Sequence, residues 1–388
     1  SLLDYDEVMD HQRKRTYGTR QAILDGRNPR AMILEMLDAL ADSAAQRYAA
    51  ADYGTGSFAA FASGELNVEF DPSDFRGCTF EEAVTVAKNR ASEAAPTFVQ
   101  ELMDENLNPD EDPKDWKWQE LSRALSTRYG IKKNDRELQK IGRDDLAAFI
   151  LAEADKAIDG TDLSAGKRYL EKDYGAESLV DWARQKFGLK LSVAEAADKD
   201  ASELAVYLRK KVREAYRQKD IDFPVQVGLH MYLPEKTTGD RRPDRDSLFR
   251  WAIERFAASG VSLSEEALRT ESRSKIKELL ADASKKLLPA GDYPELDAKL
   301  AEVFRGTVAA DADDAKELVE WVKAELKLDV PVEKFTGADL AKARDEVLNA
   351  YDRKYRPEML TTERALLLGQ LGSTWKQHLL TMDQLKRA

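Results

Sequence analysis

A single cysteine, Cys78, stands among 388 residues, so no intrachain disulfide can form. That usage is compatible with a reducing compartment, and it excludes a zinc site built on thiolates, which needs several sulfur ligands. Histidine is nearly as scarce. His11, His230 and His378 are the full complement, and no His-Glu-x-x-His pair occurs. The longest apolar runs, such as Ala365 to Leu368, fall far short of the ~20 residues that a membrane-crossing helix needs. Nothing resembles a secretory leader, so the chain reads as soluble with no transmembrane segment. A basic excess is missing too: 60 Lys and Arg against 72 Asp and Glu give a formal net charge of −12. An acidic surface repels phosphate backbones and anionic lipid, so nucleic acid is not an expected partner.

A phosphate-binding loop is also lacking. The nearest approach, Gly160 to Arg168 (GTDLSAGKR), has its glycines one residue too far apart and an arginine where the metal-binding hydroxyl belongs. Gly54-Thr55-Gly56 has no third glycine and reads as a loop. The acidic runs Asp104 to Asp112 and Asp311 to Asp314 lack the ligand spacing and central glycine of a calcium loop. Carboxylate pairs abound, but among 72 acids they carry no catalytic information. No catalytic residue, cofactor or metal is expected in this chain.

What is present is helical periodicity. Hydrophobic residues make up 43% of the chain, ample for buried cores in a length that accommodates two or three domains. From Ala31 to Ala51, Ile33, Leu34, Leu37, Leu40 and Ala41 share one face, with Pro29 where a first helical turn tolerates it. A second helix is predicted over Thr79 to Asp104, bent at Pro96, after a glycine-bearing polar stretch over Gly54 to Gly64. Two segments alternate instead: Leu66 to Phe70, and Asp222 to Pro234 with Val225, Val227, Leu229, Met231 and Leu233 on one face. The fold class is therefore all-α, mainly antiparallel helical hairpins packed on long helices, with a small β-hairpin pairing these two segments.

Three segments repeat one another. Leu121 to Ile158 aligns without gaps on Leu179 to Tyr216, so that Leu121, Gly130-Ile131, Asp145-Leu146 and Ile158 fall on Leu179, Gly188-Leu189, Glu203-Leu204 and Tyr216. A third copy, Leu318 to Tyr351, repeats Leu-Val-acidic-Trp at Leu318 to Trp321, returns Val212-x-x-Ala-Tyr216 as Val347-x-x-Ala-Tyr351, and is read as shorter by a few residues in its middle; a weaker fourth begins at Leu248 with Trp251. Each reads as a helix, a tight turn at the glycine, a connector and a second helix that buries its apolar stripe against a neighbour. Trp182 and Trp321, at equivalent positions, are expected to fill equivalent cores.

The two ends carry a further pattern. Leu368, Trp375 and Met382 recur every seven residues, as do Leu371, His378 and Leu385, which places all six on one stripe of a final helix. Leu2-Leu3-x-Tyr5-Asp6-x-Val8 with Gln12-Arg13 and Tyr17, together with Thr362-Glu363-Arg364 leading to Trp375-Lys376-x-His378-Leu379 and Met382-Asp383-x-Leu385, resemble the helical scaffold of the bacterial preprotein translocase ATPases of the SecA family. Asn28 to Tyr53 and Leu318 to Pro331 resemble that family's helical wing, whereas Gly54 to Asp314 has no recognised counterpart. The resemblance implies residues 1–27 as the end of a long scaffold helix, 28–357 as an enlarged wing with hairpins at 121–158, 179–216 and 318–351, and 358–388 as the cut first helix of a two-helix finger. It implies Tyr5, Val8, Leu368, Leu371, Trp375, His378, Met382 and Leu385 as interhelix and partner-packing residues. For the intact protein it implies motor domains in the same chain that bind ATP and magnesium, the SecY channel and unfolded preprotein as partners, and a cytoplasmic protein peripheral to the inner membrane. The other reading is a helical-repeat module that binds a chaperone, preprotein or other protein.

Overall fold

A computed structural model describes residues 18–235, 243–288 and 294–369. Among the described residues every regular element is helical and no strand occurs. A helix over 18–24 (α1) is followed by α2 (Pro29–Tyr48), α3 (Tyr53–Leu66), α4 (Phe80–Asn106), α5 (Trp118–Tyr129), α6 (Asp135–Ile141) and α7 (Arg143–Gly160). Next come α8 (Tyr174–Phe187), α9 (Val193–Ala197), α10 (Ala201–Tyr232), α11 (Arg245–Phe256), α12 (Glu265–Thr270), α13 (Arg273–Leu287), α14 (Pro294–Phe304), α15 (Ala312–Glu325), α16 (Leu340–Tyr355) and a helix over 357–369 (α17). The chain forms two compact units, one of residues 41–208 and one of 1–40 with 209–388.

Neither predicted strand forms. Leu66 closes α3, and Asn67 leaves the helix in the left-handed conformation at φ 53°. Residues 222–232 continue α10 because Ile221, Val225, Leu229 and Leu233 are buried at four-residue spacing, while Met231 is 58% exposed. The alternation was a by-product: Val227 and Met231 lie off the buried stripe, and period 3.6 satisfies every backbone group without a partner strand. The expected loop at Gly54 to Gly56 is likewise helical, the start of α3. Gly54 is there for closeness, since a Cβ on it would stand 2.5 Å from the Tyr169 carbonyl oxygen. Gly160 to Arg168 ends α7 and enters a 3-10 turn over Ser164–Leu170, with Gly166 seated under Phe58 and Phe61.

In the unit of 41–208, α4 starts with a reciprocal Thr79–Glu82 capping box and lays Ala83, Ala87, Ala91, Ala95 and Val99 along one face. Small residues every four positions let neighbouring backbones approach closely. One core surrounds Phe58 and Phe75; another holds Leu121, Leu125, Leu138, Leu146 and Ile150; a third joins Ala41, Ala44 and Ala45 to Leu179, Leu204 and Leu208, with Trp182 half-buried at its edge. In the other unit, Val225, Leu229 and Leu233 pack with α11 to α13. There Gly228 leaves room for the Trp251 ring, which a Cβ would meet at 2.2 Å. Leu296, Leu300, Leu318, Phe335, Val347 and Tyr351 form the last large core, with Trp321 packed against it.

The segments singled out as repeats have a common local structure. In α5–α7 the buried positions are Leu121, Leu125, Leu138, Leu146, Ile150 and Ala154; in α8–α10 the same intervals give Leu179, Ala183, Ala196, Leu204, Leu208 and Val212. In α15–α16 they give Leu318, Val322, Phe335, Ala343, Val347 and Tyr351, with no gap. Burial thus sets Tyr351 level with Val212, one turn away from the register read by matching tyrosines. Each first helix ends in a left-handed residue: Gly130 (φ 64°), Gly188 (φ 67°) and, in the third, Lys327 (φ 54°). The following amide then bonds back six residues, Ile131 to Leu125, Leu189 to Ala183 and Leu328 to Val322, which satisfies an orphan carbonyl at the helix end. Lys327 stands where its siblings have glycine, and a non-glycine residue in that region costs about 1–2 kcal/mol. Lys327→Gly is therefore expected to stabilise its unit by about 1 kcal/mol and Gly188→Ala to destabilise by a similar amount, read as opposite displacements of the urea midpoint.

Candidate functional site

Arg356 is the largest of the fully buried side chains. It is the one residue between α16 and α17, and Pro357, which has no amide to lose, opens the next helix. That corner turns a guanidinium inward. Its Nε and Nη2 donate to Asp220 Oδ1 at 3.1 and 2.6 Å, Nη1 donates to Asp352 Oδ1 at 2.9 Å, and Nη2 donates also to Glu363 Oε1 at 2.6 Å. A planar fork with five donors suits three carboxylates arriving from α10, α16 and α17. Arg30 from α2 donates to the second oxygen of Asp220 at 3.3 Å, and Tyr216 of α10 donates to Glu363 Oε1 at 2.5 Å.

Asn28 extends the network. Its side-chain oxygen caps α2 by accepting from the Ala31 amide, while its Nδ2 donates to Asp352 Oδ2 at 2.9 Å and Asn349 Oδ1 at 3.0 Å. Its backbone amide donates to Asp345 at 3.1 Å. Four helices, α2, α10, α16 and α17, thus meet through one polar knot whose members Asn28, Asp220, Asp352, Arg356 and Glu363 are all at most 3% exposed. Burial pushes Glu363 above the usual carboxylate range, against the pull of Arg356 and of its hydrogen bonds. Burial also pushes the Tyr216 phenol up, and the neighbouring Glu363 adds to this. Arg356 is disfavoured by burial, but Asp352, Asp220 and Glu363 outweigh that and hold its charge firmly. The donors and acceptors of this knot are turned on one another.

Beside the knot lies a small apolar contact. Ile23 of α1, Met32 of α2 and Leu367 of α17 are buried together, with Ile33 and Leu368 packed against them. Leu368 is the one predicted packing residue that can be placed, and it sits here. Tyr5, Val8, Leu371, Trp375, His378, Met382 and Leu385 lie outside the described residues. Sequence reasoning missed Arg356, Asp220 and Asp352, because nothing distinguishes them among so many charges; Glu363 and Tyr216 were noticed only as parts of other patterns.

A second constellation lies within the unit of 41–208. Tyr48, Tyr53, Tyr169 and Tyr174 line a cleft of about 460 Å³, with Tyr53 stacked on Tyr174 at 5.5 Å and Tyr169 edge-on to Tyr174 at 5.2 Å. The hydroxyls of Tyr53 and Tyr174 are engaged by Ser178, and that of Tyr174 also by Ser57 and Arg168. Cys78, Glu171, Lys172, Asp173 and Lys199 also line this cleft.

Among the described residues, helices near the two ends of the chain thus pack on each other beside a buried charge knot. Residues 1–71 and 263–388 match the family model of the SecA wing and scaffold domain, and the chain belongs to that family. It is 33% identical over 398 residues to protein translocase subunit SecA 1 of Rhodopirellula baltica. That likeness covers 100% of this chain and 32% of the relative, so the chain spans about a third of that protein's length. The similarity also runs through residues 72–262, which the family model leaves out. No solved structure matches the chain.

The knot yields a direct prediction. Arg356→Met removes the shared cation and leaves three carboxylates buried together, so a loss of about 3–5 kcal/mol is expected, measured as a lower denaturation midpoint. Leu367→Ala, which only opens a small apolar cavity, is expected to cost about 2–3 kcal/mol.

Proposed function

We propose that this chain is the non-catalytic scaffold and wing portion of a SecA-type translocase, the part that carries movement between an ATP-driven motor and the preprotein path. The observation that carries this reading is the junction itself: both segments that match the family model contribute to one unit, through Ile23, Met32 and Leu367 and through the hydrogen bond of Asn28 to Asp352. A helix with a complete internal hydrogen-bond ladder moves as a rigid lever, and a buried multidentate clamp fixes the angle at which it is held. In this reading ATP and magnesium bind to motor domains elsewhere in the longer protein. The partners are those motor domains, the SecY channel and unfolded preprotein, and the protein is cytoplasmic and peripheral at the inner membrane. No described helix is long and apolar enough to cross a membrane. The isolated chain is expected to show no ATP hydrolysis, whereas Leu367→Glu in the full-length protein is expected to abolish preprotein-stimulated hydrolysis and leave basal nucleotide binding unchanged. Hydrolysis by the purified chain, or a full stimulated rate in Leu367→Glu, would overturn the reading.

Residues 72–262 have a second reading, as a helical-repeat binding module made from copies of the wing hairpin. The shared buried register and left-handed turn of α5–α7, α8–α10 and α15–α16 support it. If the copies are interchangeable, replacing 179–203 by 121–145 is expected to preserve helicity and cooperative melting; a molten product would count against common origin.

A further inference from the structure

The charges in the Arg356 knot do not balance. Two guanidinium groups, Arg30 and Arg356, face three carboxylates, Asp220, Asp352 and Glu363, all taken out of water. One oxygen is left over as well: Glu363 Oε2 is buried with no hydrogen-bond partner, although Oε1 receives both Arg356 and Tyr216. A surplus negative charge and a bare carboxylate oxygen in one dry site are each expensive. A single proton on Glu363 Oε2 removes the surplus and leaves every other bond in place.

We propose that Glu363 is a proton-dependent latch that holds α17 against α10 and α16 when it carries a proton and loosens that helix when it ionises. Tyr216 and Asp220 face it from α10, Asp352 from the end of α16, Arg356 from the corner and, through Asp220, Arg30 from α2. None of these can take up the surplus: Tyr216 is already a donor to Glu363, and the two aspartates are each held by a guanidinium. Ionisation sends the proton to solvent, and the remaining charge is relieved only if the first turns of α17 move Glu363 toward water. Burial raises the Glu363 carboxyl above its ordinary value of 4.5, so in the window above that value the folded chain holds a proton that the unfolded chain has released. The contribution of this group to stability is then present at the acid end and falls as pH rises through the window. The inference rests on the geometry of this chain alone, and its failure would leave the translocase reading untouched.

The test is amide exchange of the 357–369 segment in the 388-residue chain between pH 5 and 8, corrected for the intrinsic pH dependence of exchange. In the wild type, protection of this segment is expected to fall severalfold as pH rises, with α14 and α15 unchanged. Glu363→Gln keeps the acceptor at Oε1 and a neutral group at the second position, so its protection is expected to stay at the acid level throughout. Asp220→Asn removes the surplus charge from another helix, and is expected to shift the loss of protection to higher pH. It also serves if Glu363→Gln fails to fold. Flat protection in the wild type, or the wild-type pH profile in whichever variant folds, would overturn the latch.

Discussion

The burial of Arg356 is the constraint around which the C-terminal unit is arranged. A guanidinium out of water is tolerable only when carboxylates reach it from several directions, and Asp220, Asp352 and Glu363 do so from α10, α16 and α17. Such a knot is no bargain in stability compared with a well-packed apolar core. What it supplies is geometry: an apolar contact tolerates sliding by a methyl group, while a fork with fixed donor directions does not. The shared cation at the α16–α17 corner thereby constrains the angle between those helices.

Among the described residues Ile23, Met32 and Leu367 form one apolar cluster, separate from the cores around α11 to α13 and around α14 to α16. The contacts of Arg356 with Asp220 and Glu363 beside it are charged. The repeat segments are the opposite case. Their energy lies in apolar positions at fixed intervals, and their turns are held by backbone bonds that depend on side chains only through the left-handed residue.

Much of the helical layout was legible because amphipathic periodicity and caps are local. Thr79 with Glu82 marks the start of α4, and Gly130 and Gly188 mark the ends of α5 and α8, each through bonds that close within a few residues. The errors came where a local pattern had two solutions. Asp222 to Pro234 alternates apolar and polar residues, yet its i, i+4 subset is what the cores of α11 and α13 cover. Gly54 looks like a loop former but lies inside α3, where it lets the helix approach the Tyr169 carbonyl. Matching tyrosines put the third hairpin one turn out of register, whereas its buried positions keep the intervals of the other two without a gap.

By itself the sequence pointed to the helical class, to helices over Ala31 to Ala51 and Thr79 to Asp104, and to the family, because propensity, capping and apolar spacing act over a few residues and leave their mark there. Only the tertiary structure decided which of 72 acids matter. Asp352 and Glu363 lie four and seven positions from Arg356, but Asp220 reaches it from 136 positions away, a contact with no local signature, and only that contact makes the three acids a set.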